Sequence, residues 1–221
     1  MFVGTPDRIR AEPSSGATTQ CRPGCRQKIS CSRVSMTTEH LRPARLVKQY
    51  LPEIRAVVRN HGVLDLACGS GRNGLFLARH NIPICFADID PSALEKIAAR
   101  LGASDLTARL WQVDFEDPGS RPLAGKKFDA ILVCNYLHRP LMPFIRDCLV
   151  EGGLLLYETF TVAQANVGRP RNPAFLLQPA ELRQWFRDWE ILLDVEGSET
   201  SPPRHYASLV ARKPAGQGRD S

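Results

Sequence analysis

Nowhere in the 221 residues does an apolar run approach the roughly 18 residues of a membrane span, and the first residues lack the continuous apolar core of a secretory signal. These absences exclude a helical membrane protein and give no support to an oxidising destination, so the expectation is a cytoplasmic protein. Residues 1–35 also have few large apolar side chains; they are rich in Ser, Thr, Gly, Pro and Arg and cannot bury enough surface to offset ordering entropy. They read as a disordered extension, or as sequence upstream of a true start at Met36. A metal site is missing as well. Cys21, Cys25 and Cys31 are spaced C-x3-C-x5-C, and the position a C-x3-C-x2-C cluster would need is Lys28. The remaining cysteines, Cys68, Cys85, Cys134 and Cys148, fall in or beside expected strands and a helix and read as small buried thiols.

The length fits one α/β domain, and a hydrophobic content of 43% suffices for a single core. The formal charge of +6 is concentrated at the start: residues 1–35 hold Arg8, Arg10, Arg22, Arg26, Lys28 and Arg33 against Asp7 and Glu12. The remainder is only mildly basic, so net charge says little about a nucleic-acid partner. The expected organisation is the extension 1–35, a folded domain 36–213 and a frayed tail 214–221.

That domain is organised around residues 62–78, GVLDLACGSGRNGLFLA. Val63, Leu64, Leu66 and Ala67 suit a strand buried on both faces, and Leu75, Phe76, Leu77 and Ala78 have the apolar density of a helix laid on a sheet. Between them Gly69 and Gly71 allow a tight turn and close approach of a ligand to the backbone. Gly69 to Gly74 satisfies G-x-G-x-x-G, the pattern of dinucleotide binding, which keeps an NAD(P)-dependent oxidoreductase as an alternative. Asp65 argues against it, because a carboxylate at the strand end repels a pyrophosphate and attracts a ligand with a cationic end. S-adenosylmethionine has that charge distribution, and its own carboxylate can face the following helix N-terminus.

The rest of the chain alternates strands and helices. An amphipathic helix is expected over 44–60, kinked or restarted at Pro52; then a strand over 82–87 ending at Asp88, a helix over 92–101, and a strand over 108–113 ending at Asp114-Phe115. A fourth strand over 128–135, a helix over 141–150 and a Gly152-Gly153 turn lead into a fifth strand, LLLYETF. A helix over 179–186 and two closing strands near 190–196 and 205–212 complete it. The pattern predicts a Rossmann-like, doubly wound, mostly parallel seven-stranded sheet with helices on both faces and an antiparallel edge strand, with its ligands at the carboxyl ends of the strands. Asp88 lies 19 residues after Gly69, near the offset at which a carboxylate meets ribose hydroxyls, whereas Asp90 before Pro91 suits a helix cap.

DLACGSG, ADIDPSAL, VDFED, FDAILVCNYLH and LVEGGLLLYETF occur in an order that resembles the class I S-adenosylmethionine-dependent methyltransferases, and NYLHRPL, YETF and GRPRNPAFLLQPAEL look most like the small bacterial tellurite-resistance type. The resemblance implies S-adenosyl-L-methionine as cofactor. It implies that Asp65, Ala67, Gly69 and Gly71 surround its methionine part, that Asp88 meets the ribose, and that Asp114 with the Phe115 backbone meets the adenine. Ala67 stands where many members have glycine.

At the expected mouth, Asn135 belongs to the cofactor side, Tyr136 and His138 are candidates for catalysis, and Glu158, Arg169 and Arg171 for substrate binding. His138 is either a base or a structural histidine, and Tyr136 either a catalytic group or an aromatic that closes over the cofactor. A small-molecule acceptor is favoured; RNA or protein stays open, although the N-P-P-[YF] expected of base amino-methylation reads Asn135-Tyr136-Leu137-His138 here. Oligomeric state is not readable.

Overall fold

The computed structural model describes residues 42–102 and 108–216. The expectations for 1–35, and for 217–221 of the tail, lie outside the described residues. Seven strands form one sheet: β1 (Val63–Leu66), β2 (Ile84–Asp88), β3 (Ala108–Gln112), β4 (Phe128–Cys134), β5 (Leu149–Phe160), β6 (Glu190–Thr200) and β7 (Pro203–Arg212), in the spatial order β3-β2-β1-β4-β5-β7-β6. β1 to β5 pair in parallel, whereas β7 runs antiparallel between β5 and β6 and leaves β6 at the edge. The chain order reverses on either side of β1, between β2 and β4. Such a switch point opens a crevice beyond the strand ends.

Side-chain alternation divides the core between the two faces. Val63, Ile84, Phe86, Ala130, Leu132, Leu154 and Leu156 face α1 (Arg45–Gln49), α2 (Leu51–Val57), α3 (Arg72–Ala78) and α4 (Pro91–Leu101). Leu64, Leu66, Ile131, Val133, Leu155 and Tyr157 face α5 (Met142–Cys148) and α6 (Glu181–Trp185). β1, β2 and most of β4 are buried on both faces, as their unbroken apolar runs require.

The amphipathic segment expected over 44–60 is two helices. The break falls at Tyr50, and Pro52 sits in the first turn of α2, where its missing N–H has no intrahelical role. Asn73 of α3 is buried and its Oδ1 accepts the Ala44 N–H at 2.8 Å, which fixes where α1 begins. The fifth strand begins earlier than expected. β5 starts at Leu149, and Gly152 at φ 72° lies inside it, with a register shift against β4 between Phe128 and Ala130. The Gly-Gly pair therefore bends a strand already begun instead of turning the chain into it. At the opposite end of the sheet Asp129 Oδ2 accepts the backbone N–H groups of Arg59, His61 and Gly62 at 2.8, 2.8 and 2.9 Å, tying the loop that leads into β1.

Candidate functional site

The turn after β1 bends sharply because Ala67, Gly69 and Gly71 all have positive φ, at 51°, 51° and 69°. A side chain at Gly71 would strike Ile97 and Phe86, and at Gly74 it would run into the Phe86 ring, so close packing of the turn on α4 and β2 requires glycine there. Gly69 is different: a Cβ built there meets nothing within 4 Å and points into open space. Ala67 is a non-glycine residue held in the left-handed region, where the backbone is strained.

Asp65 lies beneath this turn, 2% exposed, with Oδ2 accepting the Gly74 N–H at 2.9 Å. Burial pushes its carboxyl up to about 7 against the lowering effects of the Gly74 N–H and Arg72, with Asp88 raising it further. The charged form is thus short of compensation until a cation approaches. Asp88, at the end of β2, turns Oδ2 to the Gly69 N–H at 2.7 Å and Oδ1 to the Asp90 N–H at 3.0 Å, which joins the second strand end to the turn. Asp90 caps α4 through the Ser92 N–H at 2.9 Å, the capping role expected of it.

Asp65, Ala67, Gly69 and Asn135 line one cavity of about 260 Å³, together with Cys68, Arg72, Asn73 and Cys134. Asn135 reaches it because it follows β4 with φ 57°, and its N–H donates to the Glu158 carbonyl. Burial and the nearby Asp65 push the Cys134 thiol up to about 12, so it stays protonated. Tyr136 stands on the β3 side of the mouth. Among the described residues its buried hydroxyl has no hydrogen-bond partner; burial, Glu116, Asp114 and Asp88 all raise its pKa. A phenol so surrounded by carboxylates can donate a hydrogen bond but does not serve as a base. Asp114 is exposed and accepts the Glu116 N–H at 2.8 Å, and Phe115 is buried beside it.

The other expected residues are not gathered here. His138 faces a neighbouring cavity of about 300 Å³ with Phe115, Pro140, Leu141 and Phe144. Arg169 and Arg171 are exposed and line none of the cavities around the turn. Glu158 is committed within the fold: Oε1 pairs with Arg204 at 2.7 Å and Oε2 accepts the Ser208 hydroxyl at 2.7 Å. Arg204 also donates to Asn135 at 3.3 Å and lies over the rings of Phe160 and Tyr206. This arginine was not anticipated, since Pro202-Pro203-Arg204 carries no motif and only the pairing of β7 with β5 delivers it. Arg42, Arg45, Arg72, Glu158, Arg204 and Tyr206 border a further cavity of about 410 Å³ next to the turn.

The arrangement fits a ligand with a cationic end and a polar, ring-bearing body. Space opens above Gly69, a buried carboxylate lies below, and the Tyr136 hydroxyl is unpartnered among the described residues. Residues 64–155 match the family described as "Methyltransferase domain". Among curated proteins, the chain is 30% identical over 135 residues to "Ribosomal RNA small subunit methyltransferase C" of Hamiltonella defensa, a match covering 59% of this chain and 37% of that protein. The chain thus spans little more than a third of that relative's length. Among solved structures, TehB from Haemophilus influenzae superposes with a TM-score of 0.59 at 20% identity, covering 75% of this chain and 62% of the other. The N-methyltransferase NodS from Bradyrhizobium japonicum gives 0.56 at 15%, covering 76% and 97%. With the strand order, the glycine turn and the family match in agreement, residues 64–155 are similar to a methyltransferase domain, and the chain that carries them has the fold of the solved S-adenosylmethionine-dependent methyltransferases.

Proposed function

We propose that the chain transfers a methyl group from S-adenosyl-L-methionine to a small-molecule acceptor by in-line displacement. The observation that carries the reading is Asp65: a buried carboxylate under a turn of left-handed residues, linked through Gly69 to the acid at the end of β2. When bound, the cofactor supplies a methyl carbon already activated by its positive sulfur. The chain's own residues hold and orient. Asp65 favours the cationic end, Asp88 is placed for ribose hydroxyls, Asp114 and Phe115 border the adenine side, and the Tyr136 hydroxyl offers a donor.

Among the described residues, the carboxylates at the turn, Asp65 and Asp88, are taken up with the cofactor side, and none of Tyr136, His138 and Glu158 offers a free base there. The Tyr136 phenol is held protonated, His138 faces the neighbouring cavity, and Glu158 is occupied by Arg204 and Ser208. This favours an acceptor that arrives with a free electron pair and little need of a base. The adjoining cavity of about 410 Å³ is bordered by Arg42, Arg45, Arg72 and Arg204 against Glu158 and Glu199, and this excess of cations suits a small molecule with an anionic group.

An RNA acceptor is the second reading, favoured by the name of the curated relative. The Asn-Tyr-Leu-His sequence at the end of β4 speaks against methylation of a base amino group. Calorimetry with S-adenosylmethionine, S-adenosylhomocysteine and NADH tests the cofactor: both sulfur compounds are expected to bind and Asp88→Ala to weaken them at least tenfold, whereas tight NADH binding alone would refute the reading. Labelled methyl transfer into a fractionated cell extract separates acceptors, with label expected in small molecules and label confined to RNA pointing to the second reading.

A further inference from the structure

The opposite end of the sheet carries a second concavity, where β1 to β4 begin. It measures about 380 Å³ and has Val63, Ile84 and Phe128 in its floor. Four cationic side chains stand around it, Arg59, Arg109, Lys126 and Lys127. They come from three separate places: the loop before β1, the edge strand β3 and the segment before β4. Among the described residues no carboxylate lines the cavity, and none of the four is in a salt bridge. The nearby acid, Asp129, is 2% exposed and already accepts three backbone N–H groups, so it faces away from the task of neutralising them.

What the cations do contact is neutral. Arg59 Nη1 donates to the Val58 carbonyl at 2.8 Å, Lys127 Nζ donates to the Asp147 carbonyl at 3.0 Å, and Lys126 Nζ lies 4.5 Å from the centre of the Trp111 ring. Each contact orients a positive group and leaves its charge uncancelled. Arg109 pairs in register with Cys85, whose thiol also lines the cavity. Convergence of like charges from different elements on one recess is unfavourable by itself, and an anion in the recess offsets it.

We propose that this recess is a second ligand site, separate from the glycine turn, which binds a compact polyanion carrying two or more phosphate groups. Guanidinium forks match phosphate oxygens in pairs, ammonium groups add point charge, and a recess with an apolar floor suits a small headgroup better than an extended backbone. The site is on the amino ends of the strands whose carboxyl ends form the methyltransferase crevice, so one ligand does not span both.

Calorimetric titration of the full chain with tripolyphosphate at about 0.1 M salt, with sulfate at matched ionic strength as control, tests the proposal. Saturable binding is expected, at least tenfold tighter than sulfate. Arg109→Gln with Lys126→Gln should weaken it at least tenfold, and Lys126→Glu alone should weaken it similarly. All these positions are exposed, so far-UV circular dichroism and thermal melting are expected to match the parent chain and show that folding is intact. Three outcomes would overturn it: binding no tighter than sulfate, which marks a solvated basic surface; binding unaffected by the substitutions; or a single-stranded RNA oligomer binding through these residues more tightly than tripolyphosphate.

Discussion

Asp65→Asn separates the stability of the fold from the work of the site. In the unfolded chain this carboxyl titrates near its ordinary 3.8, and in the folded chain burial pushes it up to about 7. Between these values the folded state binds more protons than the unfolded one. The stability contributed by the group is therefore complete below about pH 4 and is lost as pH rises through about 7. A shift of about three units corresponds to roughly 4 kcal/mol, an upper figure because a buried site relaxes and admits water. Asparagine keeps the shape and can still accept the Gly74 N–H, but carries no charge. The variant is expected to be more stable than the parent at pH 8 by about 2 kcal/mol and equal to it at pH 4. Urea unfolding at the two pH values measures this. For S-adenosylmethionine the direction reverses: loss of the carboxylate should weaken binding at least thirtyfold at pH 8, and parent-chain binding should strengthen with pH through neutrality with uptake of the cation coupled to release of a proton. A variant that is less stable at pH 8 and binds as tightly as the parent would refute the argument.

Three substitutions follow from the local geometry. Ala67→Gly relieves a left-handed alanine and should raise stability by about 0.5 kcal/mol, the strain outweighing the added chain entropy; a clear loss in urea unfolding would show that the strain is absent. Gly74→Ala drives a methyl group against the Phe86 ring and to 2.9 Å from Asp65 Oδ2, so a loss of about 2 kcal/mol is expected, read by thermal melting. Arg204→Met leaves Glu158 buried with only Ser208 as partner and should cost about 2 kcal/mol in urea unfolding, much of it recovered when Glu158→Gln is added; a loss the second substitution does not relieve would assign the arginine to packing over Phe160 and Tyr206.

The fold was legible because its signals are local. β1, β2 and β4 are short apolar runs with turn residues at both ends, and the charge at Asp65 distinguishes this glycine turn from a dinucleotide turn before any contact is known. Strand limits were less legible where register decides them, as in β5, whose bend at Gly152 has the composition of a turn. In the site, Asp65, Ala67, Gly69 and Asn135 converge because they lie at the ends of neighbouring strands, a relation the alternating pattern already contains. His138, Arg169 and Arg171 were singled out by residue type, and type does not say which way a loop faces. Arg204 is the reverse case: sequence distance from Glu158 hides a contact that antiparallel pairing creates.

Asn73 joins two parts of the chain, α1 and α3. Its side chain holds the Ala44 N–H from within α3, and Leu46 and Val47 are buried just beyond. Lifting α1 breaks that hydrogen bond and exposes both side chains together, at roughly 4 kcal/mol or more. Arg42 and Pro43 lie ahead of the anchor and border the same cavity, and the Arg42 carbonyl accepts Arg72 Nη1 of α3 at 3.0 Å, a second tie to the same helix. α1 is accordingly a fixed jamb of the cavity beside the turn, and a ligand that enters there must fit the opening that α1 and α3 jointly frame.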